Sequence, residues 1–203
     1  MAYTNFTLDD LEARFGIRNR RERLFGEITP VPTISDWLAQ TLKMAESLSV
    51  KSEKARSELL VSPILLELRM QNNDFFTVYS GDMLNVDEEK GLNGECDFIV
   101  AKDTGSFTVN YPILQLVEAK KQDIEVGVPQ CAAQMVGARL FNERKGQPID
   151  VIYGCVTTGD DWLFLRLDPD GLIIDTRKFY LGNLGQLLGA FQIVFDFYRK
   201  ILA

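Results

Sequence analysis

Histidine is absent from this 203-residue chain. That excludes Ser-His-Asp and Cys-His catalysis, histidine-containing zinc sites and nucleases that use histidine as base or ligand. Acid–base or metal chemistry must then rest on carboxylates, lysine and water. Cysteine is scarce: Cys96, Cys131 and Cys155 are odd in number, widely spaced and form no CxxC pair. They read as reduced core thiols of a cytosolic protein. No apolar run reaches the roughly 20 residues that cross a bilayer. The opening MAYTNFTLDDLEARF has no basic segment followed by an apolar one, so no secretory signal is expected and a cytoplasmic location is. There is no Gly-rich phosphate loop of the P-loop or dinucleotide type, which speaks against nucleotide cofactors. Basic residues are outnumbered, 22 to 29, for a net charge of −7. A broad non-specific grip on nucleic acid is thereby disfavoured, and any such contact must be local or depend on divalent metal or a partner.

What is present suits one folded domain over residues 1–203, 46% hydrophobic and 25% charged. Residues 1–33 are the least core-like and read as an N-terminal extension. They hold a short helical candidate at Leu8–Phe15, a basic cluster (Arg18, Arg20, Arg21, Arg23) that could contact a phosphate backbone but is read first as an exposed loop or a partner of the many acidic residues, and extended chain at Pro30 and Pro32. Helical spacing follows from Ser35 to Leu68. Ser35 is placed to cap the first helix and Ser49 or Ser52 the second, and Pro63 is expected to kink or break the latter. The texture then turns β: strands at Phe75–Ser80, Glu95–Lys102 and Tyr111–Lys120, with a polar loop over Asn85–Gly94. A helix is expected over Pro129–Arg144, with Pro129 in its first turn and Gly146 beyond its end. Two strands, Asp150–Thr157 and Trp162–Leu167, flank a turn, and Leu172–Asp175 reads as a short edge strand. A last helix, over 183–202 and capped by Asn183, carries the stripe Leu184, Leu188, Phe191, Phe195, Tyr198 and Leu202. Sheet cover is the favoured reading of that stripe; a dimer seam is the other. The fold class expected is α/β (α+β): a central mixed β-sheet flanked by helices.

The chemistry concentrates at Glu118-Ala119-Lys120, which ends the apolar run Ile113–Val117, with Asp97 near the start of the preceding strand. Residues two apart on a strand face one way, about 6.6 Å apart along the chain, so Glu118 and Lys120 should project together. Phosphodiester hydrolysis uses a hard cation such as Mg²⁺ or Mn²⁺, which takes oxygen ligands. Asp97, Glu118 and the main-chain carbonyl of Ala119 are oxygen donors of that kind. The ammonium of Lys120 can hold an attacking water or offset charge growing on a phosphate.

These residues, Glu95-Cys96-Asp97-Phe98-Ile99-Val100 followed by Leu116-Val117-Glu118-Ala119-Lys120, resemble the PD-(D/E)XK superfamily of restriction-endonuclease-like nucleases. Cys96 stands where the pattern's name has proline. The segment from Ser52 to Glu58 is similar to the start of the nuclease domain of type I restriction enzymes. The resemblance covers residues 50–167, taken as the core. It implies a restriction-endonuclease-like fold and a Mg²⁺- or Mn²⁺-dependent nuclease acting on nucleic acid, DNA first. Asp97 and Glu118 would bind metal together with the carbonyl of Ala119, Lys120 would be catalytic, and Gln130 on the following helix would orient the lysine or the water. Glu53 would be the helix glutamate, with Glu58 as second choice, and Gln134 lies one turn beyond Gln130.

Plainer readings stand beside these. Asp97, Glu118 and Lys120 could form a salt bridge at strand ends, Gln130 could cap its helix, and Glu53 and Glu58 sit in a charged segment that must be largely solvated. Lys121 is expected to point away from Lys120. A second functional class is a nuclease-fold binding or accessory module working with a protein partner. A third is an unrelated α/β enzyme with a carboxylate–lysine site. A homodimer and a separate partner both stay open.

Overall fold

The computed structural model describes residues 2–203; Met1, the first residue of the segment read as an extension, lies outside the described residues. One mixed sheet of eight strands dominates. Its order is β1 (Asn19–Glu22), β7 (Gly171–Asp175), β6 (Asp161–Asp168), β5 (Ile152–Thr157), β4 (Ile113–Ala119), β3 (Glu95–Lys102) and β2 (Phe76–Met83), and β8 (Phe179–Tyr180) pairs with β6. Only β1/β7 and β4/β5 run parallel. A parallel neighbour demands a long crossover, and α5 (Ile124–Arg144) supplies it between β4 and β5. Every residue of β4 and β5 is buried. The largely apolar texture of both strands, broken by Gln115 and Glu118 on β4 and Thr157 on β5, reflects cover on two faces.

Helix α5 lies on one face of the sheet. The other face is covered by α6 (Leu184–Ile201) and α4 (Ser62–Gln71). Phe195 stacks on Phe76 with centroids 4.1 Å apart, and Phe191 meets Phe164 and Trp162 edge-on. The apolar stripe of α6 is thus spent on the sheet, with Leu188, Phe191, Phe195 and Tyr198 all buried. All three cysteines are free and buried. No helix among the described residues is long and apolar enough to cross a membrane.

Several expectations need correction. The first 30 residues are not a peripheral extension: Tyr3, Phe6, Leu11, Ile17, Phe25 and Ile28 are buried in the common core. Besides α1 (Leu8–Phe15), the segment contains a strand, because Asn19–Glu22, read as an exposed basic loop, pairs with Leu172–Asp175. Leu172–Asp175 is therefore covered on both sides and β1 is the edge. The sequence NRRE has little strand propensity, and exposed charge on an edge strand deters pairing with other chains.

Two prolines were misplaced. The helix does not break at Pro63. It begins as α3 (Glu53–Arg56), capped by Ser52, and widens through a π-helical turn at Ser57–Val61. Pro63 then sits in the first turn of α4, where a missing N–H is cheapest. Pro129 is not in the first turn of α5, which begins five residues earlier under an Asp123 cap. The bond lost there would run to the carbonyl of Glu125, an exposed residue, so water can replace it. At α6, Asn183 occupies the cap position without a side-chain capping bond. Helix α2 (Asp36–Glu46) does carry its Ser35 cap, with Leu38 N–H donating to the hydroxyl.

Candidate active site

The site forms at the carboxyl end of β4, where the chain leaves the sheet to enter α5. Asp97 on β3 and Glu118 on β4 are cross-strand neighbours by the register that pairs Phe98 with Val117. Both project to the α5 face. Lys120 lies one residue beyond the strand but stays extended, its N–H donating to the carbonyl of Thr157 at 2.7 Å. Glu118 and Lys120 therefore face one way as the spacing requires, and Lys120 Nζ donates to Glu118 Oε1 at 2.6 Å.

The remaining contacts come from α5. Gln130 accepts from Lys120 Nζ through Oε1 at 3.2 Å. Gln134, one turn later and fully buried, donates from Nε2 to Glu118 Oε2 at 2.8 Å. Both oxygens of Glu118 are thus engaged, one by a cation and one by a neutral amide. The helix can come this close because residue 127 is glycine: a Cβ there would stand 2.6 Å from Val156 Cγ1 and 3.0 Å from Lys120 Cγ. Asp97 Oδ2 accepts the N–H of Ala119 at 2.7 Å, which locks the first acidic side chain to the backbone between Glu118 and Lys120.

Burial sets the electrostatics. Glu118 is 1% exposed, and its carboxyl is pushed up to about 7, first by burial and then by the charge of Asp97. Lys120 and Gln134 oppose that rise without cancelling it. Asp97 is also raised, again chiefly by burial, with the Ala119 N–H and Lys120 pulling the other way and Glu53 adding to the rise. Burial drags Lys120 down, yet Glu118, Glu53 and Asp97 together lift it above its ordinary value, so the ammonium persists. Two carboxyls whose anions burial disfavours, beside a fixed cation, form a pair that a divalent ion would stabilise in its charged state.

Glu53 opens α3 and lines a cleft of about 350 Å³ with Asp97, Glu58, Glu95, Ser80 and Gly81. Arg56 braces this helix on the β5–β6 turn, donating from Nη1 to the Thr158 carbonyl and to Asp160, both at 2.7 Å. Both candidate helix glutamates reach the cleft. They differ in reach: the charge of Glu53 is felt at Asp97 and at Lys120, whereas Glu58 sits 3.8 Å from Lys54. Glu95 was not singled out from the sequence, although its place two residues before Asp97 on one strand puts both on one face. A larger cavity, about 690 Å³, opens near Leu42, Leu48, Arg56 and Tyr180. Asp97 lines the smaller cleft and not this one, so the smaller cleft is the one that belongs to the site.

The donor set bears on whether a cation suits the site. No group of three or more carboxylate, thiolate or imidazole residues among the described residues is arranged to hold a metal by itself. Asp97 and Glu118 side by side, with a main-chain carbonyl at Ala119, form an oxygen-only set. Mg²⁺ is commonly held by one or two carboxylates, with water and substrate phosphate completing its shell. The residues fit that mode and do not fit a closed all-protein cage.

No protein-family model matches the chain, and no curated protein is detectably similar to it in sequence.

Proposed function

We propose that the protein is a metal-dependent nuclease that hydrolyses phosphodiester bonds, with DNA as substrate. The observation that carries this reading is the assembly of Asp97, Glu118 and Lys120 on one face at the mouth of α5. Two carboxylates are strained as anions by burial there, and an ammonium is fixed 2.6 Å from one of them. Asp97, Glu118 and the Ala119 carbonyl would hold Mg²⁺ or Mn²⁺, which supplies Lewis-acid polarisation of the phosphate and a water acidified for attack. Lys120 balances charge on the phosphate as it grows, and Gln130 limits the directions its ammonium can take. Gln134 holds one oxygen of Glu118, so the carboxylate meets the cation in one orientation. Glu53 adds negative charge from the facing helix.

Cleavage of supercoiled plasmid with Mg²⁺ or Mn²⁺, by the wild type and by Lys120→Ala, tests the reading. Loss of cutting in the variant with its fold intact supports it. Full activity in the variant sinks it.

A second reading, a nuclease-fold accessory module acting with a protein partner, draws on the net charge of −7 and on the four carboxylates lining the cleft. Both repel phosphate. The salt dependence of DNA binding separates the two readings: a steep slope marks direct phosphate contact, and no binding at low salt with metal present favours the accessory role.

A further inference from the structure

A second cavity, of about 320 Å³, opens on the opposite flank of α5 from the site. Residues 127, 130, 131 and 134 turn toward Glu118 and Lys120, whereas Glu125, Val128 and Pro129 turn toward this cavity. Its floor is apolar, formed by Val128, Leu163 and Ile174, and its rim carries Arg21 and Lys178. The volume is that of a small-ligand pocket. Both rim cations are available to an anion: among the described residues neither forms an ion pair, and neither side chain makes a hydrogen bond. Arg21 lies on β1 within the exposed basic cluster; Arg18, just before the strand, and Arg20 on it are paired with Glu12 and Glu22, and Arg21 is not. Edge protection accounts for charge on β1. It does not account for Lys178, which arrives from the other end of the chain at the same rim.

Register fixes the distance to the site. Glu118, Val156 and Leu163 lie in one row across β4, β5 and β6. Two strand spacings make about 10 Å between Glu118 and the cavity floor. Helix α5 packs on that row at Val156, so a strand that joins the site to the cavity passes over the helix rather than along the sheet.

We propose that this cavity is a nucleic-acid subsite: it receives a nucleotide of the strand whose scissile phosphate lies at Glu118 and Lys120, with Arg21 and Lys178 as its phosphate contacts and the apolar floor beneath sugar and base. The inference rests on the nuclease reading above. It adds a direction, since the bound strand crosses the first turns of α5 toward β1. It also gives this acidic protein a local basic foothold of the kind its net charge requires. Glu125, the one carboxylate on the rim, opposes the same phosphates.

The test is fluorescence anisotropy of a labelled 20-base-pair DNA duplex against salt, with Ca²⁺ in place of Mg²⁺. The proteins compared are the wild type, Arg21→Ala with Lys178→Ala, and Glu125→Gln. All three side chains are exposed, so the fold should survive each change. The double variant is expected to bind about tenfold more weakly and to lose roughly 1.8 from the slope of log affinity against log salt, about 0.9 per phosphate contact. Glu125→Gln is expected to bind more tightly. Wild-type binding with unchanged affinity and slope in the double variant overturns the subsite and leaves the nuclease reading standing. No binding by the wild type even at low salt overturns both.

Discussion

Replacing Glu118 by glutamine should change how stability depends on pH. In the folded protein the carboxyl ionises near 7 rather than near its ordinary 4.5, chiefly because it is buried. Between those values the folded state holds a proton that the unfolded state has released, so stability must fall as pH rises through this window and level off above about 7. At 1.36 kcal/mol per pKa unit the interval corresponds to about 3 kcal/mol lost between pH 4.5 and 7. Asp97 is displaced in the same direction and interacts with Glu118, so the difference between the two proteins reports the carboxyl pair, with Glu118 as its larger part. Lys120 is raised and still charged throughout this range, so its linked stability is lost only in strong alkali. Urea unfolding at pH 5, 6, 7 and 8 in the presence of EDTA is the assay. Relative to the wild type, Glu118→Gln should gain about 3 kcal/mol between pH 5 and pH 8, or roughly 6–12 °C in melting temperature for a domain of this size. Parallel pH profiles for the two proteins would refute the claim that burial holds this carboxyl near neutrality.

Further outcomes follow from the same geometry. Gly127→Ala drives a methyl into Val156 and the Lys120 stem, so it should cost about 1–3 kcal/mol by overpacking and lower cleavage out of proportion to the stability loss. An unchanged rate would mean that α5 does not set the lysine's position. Glu53→Gln should weaken Mn²⁺ binding in titration calorimetry more than Glu58→Gln does, because only the Glu53 charge is felt at Asp97 and Lys120; the reverse order would exchange their roles. Phe195→Ala removes a fully buried ring stacked on Phe76, and denaturant unfolding should show a loss of about 3–5 kcal/mol.

Much of this architecture was legible in the chain itself. Strand β3 runs over Glu95–Lys102 as its aromatic and β-branched residues indicate, and α1 spans Leu8–Phe15. Period-2 alternation put Glu118 and Lys120 on one side, and they are bonded there. The stripe of α6 foretold a buried face. Such features are local: each depends on side-chain periodicity within one element, which any chain with this sequence carries before it folds. The tertiary structure decided the rest. Strand β1 exists because β7 offers a parallel partner, a contact between residues some 150 positions apart that nothing in Asn-Arg-Arg-Glu announces. Pro63 and Pro129 carry the same local signal, but a π-helical turn before one and solvent beside the other determined what each could do. Gln134 became a partner of Glu118 only once α5 was laid across β4, at a distance that Gly127 permits. The displaced ionisation of Glu118 is likewise a property of burial, and burial is a sum over the whole fold rather than a feature of any segment.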